Sequence, residues 1–144
     1  MIGLDSNVLV RYLAQDEPRQ SARATQLIEH ELDERTPGYI SVVVLVETCG
    51  VLERLYGATP AELHATVRDL LDTRQFSVEH RAEVARALDR LSGRSTGTGT
   101  ATGIATSGDF ADALIAELGI AAGCTRVVTF DRKAAKLGMA LLLR

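Results

Sequence analysis

Five acidic residues stand at positions where a carboxylate needs a specific partner. Asp5 lies within MIGLDSNVLV, Glu47 interrupts VVVLVETCGVL, and Asp131 follows the apolar segment RVVTF. Asp109 and Asp112 bracket the start of another apolar stretch, DFADALI. Near an apolar core a carboxylate loses solvation unless a cation or hydrogen-bond donors replace the water, and neighbouring carboxylates repel one another. One bound divalent cation would remove both costs, so the pattern predicts a metal site. The remaining acids are expected on polar helix faces and at helix starts.

The donor types indicate which metal would bind. The five acids offer only oxygen ligands, which suit Mg²⁺ or Mn²⁺ and not zinc. The three histidines, His30, His64 and His80, show no ligand spacing and are expected on charged faces.

Three of the acids also have a purely structural interpretation. Asp5, Asp109 and Asp131 each stand at the start of a predicted helix, where an Asp commonly serves as the N-cap. Asp109 fits a cap as well as it fits a ligand, because a Gly-Asp step after a Gly-rich segment is ordinary capping chemistry. Glu47 has no such alternative, since the middle of an apolar helix does not require an acid.

The elements that must position these acids alternate along the chain. Short apolar segments predict strands at residues 1–5, 38–41, 75–78, 126–130 and 139–143. Apolar residues at helical spacing predict helices at Ser6–Ala14, 16–34, Val42–Tyr56, 60–73, 81–91, 109–122 and 131–137. Ser6 is the expected N-cap of the first helix, Thr59 and Glu62 form a capping box, and the strand RVVTF is expected to be buried.

Strands that alternate with helices predict an α/β fold whose parallel sheet is covered on both faces. In such a sheet, ligands gather outside the carboxyl ends of the strands. Asp5 and Asp131 each close a strand, and Glu47 lies in the second turn after strand two. Asp112 is expected in the first turn of its helix, on the same face as Asp109. We therefore expect all five acids to face one crevice.

The chain length and composition fit a single domain. With 144 residues and 46% hydrophobic residues the chain can fill one core, and the scarcity of aromatic residues requires that core to be aliphatic. Residues 92–108, SGRSTGTGTATGIATSG, consist almost entirely of Gly, Ser, Thr and Ala, which predicts a mobile loop.

Bulk properties restrict the setting in which the protein works. No apolar stretch is long enough to cross a bilayer and no leader is evident, so a soluble, cytoplasmic protein is expected. Cys49 and Cys124 show no CxxC spacing and are expected to be reduced packing residues. The net charge of −3 argues against a passive nucleic-acid binder, but not against a nuclease whose acids are neutralised by metal.

Four segments, in order, resemble the signature regions of the PIN domain, and specifically those of the VapC-type toxins. They are LDSNVLVRYL, ETCGVL, DFADALIA and VVTFDRKAAKLGM, and together they cover nearly the whole chain. The resemblance implies a three-layer α/β/α PIN-like domain with a central parallel sheet. It also implies a Mg²⁺- or Mn²⁺-dependent endoribonuclease with one or two ions, which leaves 5′-phosphate and 3′-hydroxyl ends. The corresponding biological role is the toxin of a type II toxin–antitoxin module that inhibits growth by cleaving tRNA or rRNA.

The resemblance also assigns roles to the acids. Asp5, Glu47, Asp112 and Asp131 match the family's catalytic, metal-binding quartet, and Asp109 matches an auxiliary acid one turn before the third member. Asp112 or Asp131 is expected to act as general base.

Polar and basic neighbours of the acids receive supporting roles. Asn7 would orient Asp5 or a water, while Ser6 and Thr129 flank the first and fourth acids and would hold them in place, although both also fit plain helix caps. The basic residues beside the acidic motifs, which fit phosphate contacts and solvated surface roles equally well, are Arg11, Arg132 and Lys133.

Partners follow from the resemblance as well. It implies RNA as substrate, a homodimer, and a VapB-type antitoxin whose C-terminal segment covers the active-site groove. The apolar faces around residues 22–32 and 45–55 are candidates for that groove, with core packing as the alternative. The Gly- and Thr-rich segment is longer than the usual family connector and is interpreted as an RNA-contacting flap or a tolerated insertion.

Three other functions compete with a toxin ribonuclease. A phosphatase with Asp5 as nucleophile would need a second acid two residues later, where Asn7 stands. A stand-alone RNA-processing PIN nuclease would have the same acids without an antitoxin partner. A catalytically silent PIN-like binding module would not require the intact quartet.

Overall fold

Strands and helices alternate along the part of the chain that the computed structural model describes, residues 1–95 and 106–142. The structure divides into two units, Met1–Glu79 and His80–Arg144. The first contains β1 (Ile2–Gly3), α1 (Ser6–Ala14), α2 (Pro18–Gln26) with a π-helical turn over Leu27–Glu31, β2 (Gly38–Ile40), α3 (Val42–Tyr56), α4 (Pro60–Asp72) and β3 (Phe76–Val78). The second contains α5 (Arg81–Ser95), α6 (Ser107–Ala121), β4 (Val128–Thr129), α7 (Arg132–Ala135) and β5 (Ala140–Leu141).

All described strand pairs are parallel. In the first unit the strand order is β1-β2-β3, with Ile2 opposite Gly38 and Gly38 opposite Phe76. In the second unit β4 pairs with β5, with Val128 opposite Ala140. The five strands lie where the sequence predicts them, each within a longer predicted segment. The predicted α/β class with parallel strands is confirmed, and the hydrogen-bonded strands form one sheet in each unit. That the whole chain is a single domain stays a prediction.

The core of the first unit is aliphatic. Helix α1 packs against both α2 and α3, and α4 packs against β3. The side chains of Leu9, Ile28, Ile40 and Leu45 are completely buried. Leu9 lies on α1, which Asp5 caps, and Leu45 lies on α3, which carries Glu47 near its N-terminus. Burial of Leu9 and Leu45 fixes the two helices and leaves their polar N-terminal ends accessible.

The second unit is organised around the packing of α5 on α6. Val84, Leu88 and Leu114 are buried between these helices and their neighbours. The one-turn helix α7 contacts α6 and both strands of its sheet, and Leu137 just after it is buried. Helix α6 carries Asp112 and α7 begins after Asp131, so this packing positions both acids.

Helix boundaries differ from the predictions at several ends. Helix α1 does begin at Ser6, but its N-cap is Asp5 and not Ser6. The capping box of Thr59 and Glu62 at the start of α4 is confirmed. Asp112 lies in the second turn of α6 and not the first, because that helix begins two residues before Asp109.

The predicted mobile loop at residues 92–108 is partly replaced by helix. Helix α5 continues to Ser95, and α6 begins at Ser107 after the N-cap Thr106. Backbone hydrogen bonding therefore extends beyond the last apolar residue of α5, where the side-chain pattern alone gives no helix signal. Residues 96–105, the rest of that predicted loop, lie outside the described residues.

The prediction that RVVTF is a buried strand is wrong. Only Val128–Thr129 forms a strand there, and the side chains of Val128 and Phe130 are 46% and 70% exposed. A run of apolar residues predicts a strand, but it does not predict which side of that strand is covered by other elements.

Both cysteines are free, as predicted, but their surroundings differ. Cys49 is buried on α3, whereas Cys124 is exposed and is not a packing residue. Among the described residues, none of the helices combines the length and apolar character that crossing a membrane requires.

Candidate active site

Asp5 occupies the junction between β1 and α1. Its backbone is extended, with φ −83° and ψ 159°, and its Oδ1 accepts a hydrogen bond from the Ser6 amide at 2.7 Å. The side chain is exposed. The structural role foreseen for Asp5 is therefore present, and its second oxygen, Oδ2, takes no part in the cap.

Glu47 lies in the second turn of α3, and the start of that helix is fixed from two sides. The Ser41 hydroxyl accepts a hydrogen bond from the Val44 amide at 3.1 Å. Glu79, at the end of β3, accepts one from the Val42 amide at 2.9 Å. Helix α3 is thus anchored to the sheet end, which places Glu47 at a defined distance beyond it.

Ser6 connects these two acids. Its hydroxyl donates a hydrogen bond to Glu47 Oε1 and lies 3.4 Å from Asp5 Oδ1. A carboxylate after β1 and a carboxylate from α3 therefore lie around one hydroxyl, and the supporting role of Ser6 at a metal site stays a prediction.

The expectation that Glu47 interrupts a buried helix face is wrong. Glu47 is exposed, while Leu45, Thr48, Cys49 and Leu52 are buried. Those four positions follow helical spacing and form the core-facing stripe, from which position 47 is displaced. Asp5 and Asp131 are exposed too. Loss of solvation is therefore not the property that distinguishes these three acids.

Asp109 is engaged in the N-terminal capping box of α6. Its carboxylate accepts hydrogen bonds from the Thr106 amide at 3.1 Å and the Thr106 hydroxyl at 3.3 Å, and its own amide donates to that hydroxyl. Asp109 is 7% exposed and stands three residues after the cap, so the N-cap itself is Thr106. A structural role thus accounts for the burial of Asp109.

The pKa of Asp112 is raised, as expected for an acid that lies near other acids. Burial raises its pKa first, and the negative charges of Asp131 and Asp109 raise it further, against the opposing charge of Lys133. These charges act on the Asp112 carboxylate through space, so Asp131 and Asp109 each lie within interaction distance of Asp112. A cation placed among them would stabilise the ionised form.

Asp131 is the N-cap of α7. Its Oδ1 accepts a hydrogen bond from the Lys133 amide at 2.9 Å, and its own amide donates to the Thr129 hydroxyl at 3.0 Å. Thr129 therefore fixes the backbone of Asp131, and Oδ2 of Asp131 takes no part in the cap, as at Asp5.

The three candidate RNA-contacting cations have different surroundings. Arg11 is held by Gln20, Asp16 and Tyr56, through hydrogen bonds of 2.8, 3.3 and 3.1 Å. Arg132 and Lys133 are exposed in the first turn of α7.

Two carboxylate groups thus emerge, one in each unit. The first is Asp5 with Glu47, and the second is Asp112 with Asp131 and Asp109. Among the described residues, no group of three or more His, Cys, Asp or Glu side chains is arranged to hold a metal ion. The donor chemistry nevertheless fits Mg²⁺ or Mn²⁺, because the oxygens are carboxylate oxygens and Asp112 lies in a negative environment.

Sequence reasoning missed an ionic cluster in the second unit that is centred on a buried acid. Glu117 on α6 is 6% exposed and accepts hydrogen bonds from Arg90 Nε at 2.7 Å and Arg86 Nε at 3.2 Å. The criterion that selected Glu47, an acid inside an apolar helix, applies to Glu117 in DALIAELGIA as well. The spacing of Arg86 and Arg90, four residues apart on α5, was the matching signal.

The chain was compared with protein families, curated proteins and solved structures. No curated protein and no solved structure matches it. The model of the PIN domain family matches residues 2–139, a range that contains all five acids considered above. PIN domains are generally metal-dependent nucleases, and PIN nucleases act on RNA. Since the match covers nearly the whole chain, this protein belongs to the PIN domain family.

Proposed function

We propose that the protein is a cytoplasmic, Mg²⁺- or Mn²⁺-dependent endoribonuclease and the toxin of a type II toxin–antitoxin module. The observation that carries the nuclease part is the pairing of acids at the family's signature positions in each unit, Asp5 with Glu47 and Asp112 with Asp131. The toxin part is supported by the resemblance of the four motifs to VapC-type sequences.

The acids of the proposed catalytic set have different roles. Asp5, Glu47, Asp112 and Asp131 would hold one or two ions, and Asp109 would assist from its capping position. A bound Mg²⁺ or Mn²⁺ acidifies a water and offsets charge that develops on the phosphate.

The chain's own residues supply the remaining functions. Ser6 keeps the Asp5 and Glu47 carboxylates together, and the Lys133 amide orients the carboxylate of Asp131. Asp112 or Asp131 accepts the proton of the attacking water as general base. Asn7, next to Ser6 in the first turn of α1, is placed to orient Asp5 or that water.

Substitution of one acid in each unit tests the catalytic set. Asp5→Asn and Asp112→Asn should each abolish Mn²⁺-supported RNA cleavage and growth inhibition, whereas Asp72→Asn, at an exposed position on α4, should not. Asn is also a good N-cap, so Asp5→Asn removes the charge while it preserves the start of α1.

The outcomes separate the competing functions. Unchanged cleavage by Asp5→Asn overturns the catalytic assignment. Cleavage without growth inhibition favours a stand-alone RNA-processing nuclease, and a wild-type protein that binds RNA but cleaves none with either metal is a silent binding module. Sequencing of RNA ends after induced expression would identify the substrate and test for 5′-phosphate products.

A VapB-type antitoxin and a homodimer are the proposed protein partners. Much of the predicted antitoxin groove serves instead as core, since Ile28, Leu32, Leu45 and Leu52 are buried. Leu55 is 75% exposed and remains available on that surface. Copurification with the product of an adjacent small reading frame, and the molar mass in solution, test these partners.

A further inference from the structure

A cleft between α1 and α2 of the first unit begins beside the residue that links Asp5 and Glu47. Asn7, the neighbour of Ser6, lines one end of the cleft, and Val8 and Leu27 contribute apolar wall. The cleft encloses about 420 Å³. That volume lies within the range of pockets that bind small organic groups, of which a nucleotide is one.

The polar part of the cleft lining is cationic. Arg11 and Arg23 line it together with Gln20, and among the described residues that line it there is no acid. Each arginine pairs with an acid outside the lining, Arg11 with Asp16 and Arg23 with Glu31. Two guanidinium groups that converge on one cleft fit the oxygens of a phosphate-bearing ligand.

Arg11 is already oriented for binding. Its hydrogen bonds to Gln20, Asp16 and Tyr56 use Nε and Nη1, which leaves Nη2 as the guanidinium nitrogen for a ligand. Tyr56 in turn donates to Asp16 at 2.6 Å. A guanidinium fixed by three side chains loses little conformational entropy when it binds a ligand.

Arg23 is free to exchange its partner. Its side chain is 65% exposed and pairs with the exposed Glu31 at 2.7 Å. Exposed ion pairs contribute only about 0–1 kcal/mol, so a phosphate can replace that carboxylate at small cost. Arg23 also lines an adjoining depression of about 390 Å³ with Arg19, where the Glu17 carboxylate is held by two backbone amides.

We propose that this cleft is a nucleotide subsite of the ribonuclease, which holds a single-stranded RNA residue that flanks the cleaved bond. The base lies against Val8 and Leu27, while Arg11 and Arg23 bind the phosphates. This inference rests on the proposed function, because the subsite is useful only if the neighbouring acids of the first unit, Asp5 and Glu47, are catalytic. Arginine side chains along a groove bind the backbone of single-stranded nucleic acid, and the aliphatic side chains of Val8 and Leu27 supply apolar contact for a base.

Arg23→Gln provides the test, and Arg74→Gln is its matched control. Arg74 is also an exposed arginine in an exposed ion pair, 84% exposed and 3.4 Å from Glu34, but it lies elsewhere in the first unit. Both substitutions are made in the Asp5→Asn background, and binding of a short fluorescent single-stranded RNA of mixed sequence is measured by anisotropy over a salt series with Mg²⁺ present.

Arg23→Gln should weaken RNA binding several-fold and reduce the slope of log Kd against log salt by about 0.7, the value for one phosphate contact with a single strand. Arg74→Gln should change neither quantity. Leu27→Gln should weaken binding without a change in slope, because it removes contact with the base only. In the active enzyme Arg23→Gln should raise KM and leave kcat unchanged.

Failure of the subsite is distinguishable from failure of the proposed function. Equal RNA affinities for Arg23→Gln and Arg74→Gln overturn the subsite, even if the wild type cleaves RNA. Arg23-dependent RNA binding by a wild type that cleaves none supports the RNA site and overturns the nuclease. If Arg23→Gln weakens only the binding of a purified antitoxin, the cleft is a protein docking site and the nucleotide proposal is overturned.

Discussion

Asp5 and Asp131 perform the same local task at the starts of α1 and α7. Each uses Oδ1 for the backbone amide of its helix and leaves Oδ2 outside the cap. Capping and metal binding were alternatives when only the sequence was considered. The structure makes them compatible, because a carboxylate that is oriented by its own helix presents its second oxygen in a fixed direction.

Ser6→Ala tests the importance of the link between Asp5 and Glu47. Loss of the hydroxyl should free Glu47 from Asp5 and weaken Mn²⁺ binding and kcat by about 10-fold, the lower end of the range for residues that support metal ligands. Ser6→Thr keeps the hydroxyl and should retain most of the Mn²⁺ affinity and most of kcat. Mn²⁺ affinity measured by calorimetry, beside cleavage rates, checks the prediction. Wild-type affinity in Ser6→Ala would contradict it.

Cys49 and Cys124 should differ in reactivity. Burial, with a smaller contribution from the charge of Glu53, raises the pKa of Cys49 from 9.0 to about 12. Near pH 8, therefore, a thiol reagent should modify Cys124 rapidly and Cys49 only after unfolding. Because the folded thiol stays protonated longer than the unfolded one, Cys49 stabilises the fold below pH 9.0, and this contribution is lost as the pH rises toward 12. Two fast-reacting thiols in the native protein would contradict this assignment.

At the scale of elements, Glu117 joins α5 to α6. Arg90, which donates to Glu117, also places Nη1 3.4 Å from the Leu137 carbonyl oxygen beyond α7. Gly138 permits this approach, because a Cβ there would lie 2.2 Å from that nitrogen. The cluster thus connects the helix of Asp112 with the end of the helix that Asp131 caps.

Glu117→Ala should lower the free energy of unfolding by about 2 kcal/mol, since it removes the acceptor of both arginines, and Arg90 and Arg86 are exposed enough, at 32% and 54%, for water to solvate them. Arg86→Ala, at a side chain that is 54% exposed, should cost less than about 1 kcal/mol. Urea denaturation followed by circular dichroism measures both. Equal effects of the two substitutions would show that the hydrogen bond between Arg90 and Glu117 adds nothing to the stability.

The sequence was sufficient for the order of elements and for the capping box of α4, because these depend on local spacing and local hydrogen bonds. It was insufficient for burial, which depends on which surfaces the rest of the chain covers. Glu47 and RVVTF were expected to be buried and are exposed, while Glu117 was expected on a polar face and is buried. The partners of Glu117 lie on another helix, and the spacing of Arg86 and Arg90 does not by itself specify which helix they face.

For the molecule as a whole, the four motifs predicted the PIN family, and the family match over residues 2–139 confirms it. Their order along the chain carried this information, since each is short by itself. The toxin role, the metal and the partners remain proposals, because they depend on surfaces and ligands that short motifs do not specify.

We expect RNA binding to depend on the metal, because the chain has a net charge of −3 and the proposed catalytic carboxylates are negative. Without a divalent cation, Asp5 and Glu47 of the first unit would repel the phosphates that the cleft of that unit is proposed to bind. We therefore expect chelation with EDTA to weaken RNA binding as well as to stop cleavage. The double variant Asp5→Asn with Glu47→Gln should bind RNA several-fold more tightly than the wild type in EDTA, and this advantage should disappear when Mg²⁺ is restored.

The matched control removes the same amount of charge from another place. Asp69 and Asp72 are exposed on α4, so Asp69→Asn with Asp72→Asn changes the net charge equally without altering the acidic motifs. Anisotropy titrations of one RNA in EDTA and in Mg²⁺ compare the three proteins. An equal gain for both double variants would mean that net charge governs RNA binding. A gain in affinity that is seen only for Asp5→Asn with Glu47→Gln, and only in EDTA, would mean that RNA phosphates approach the carboxylates that the metal neutralises.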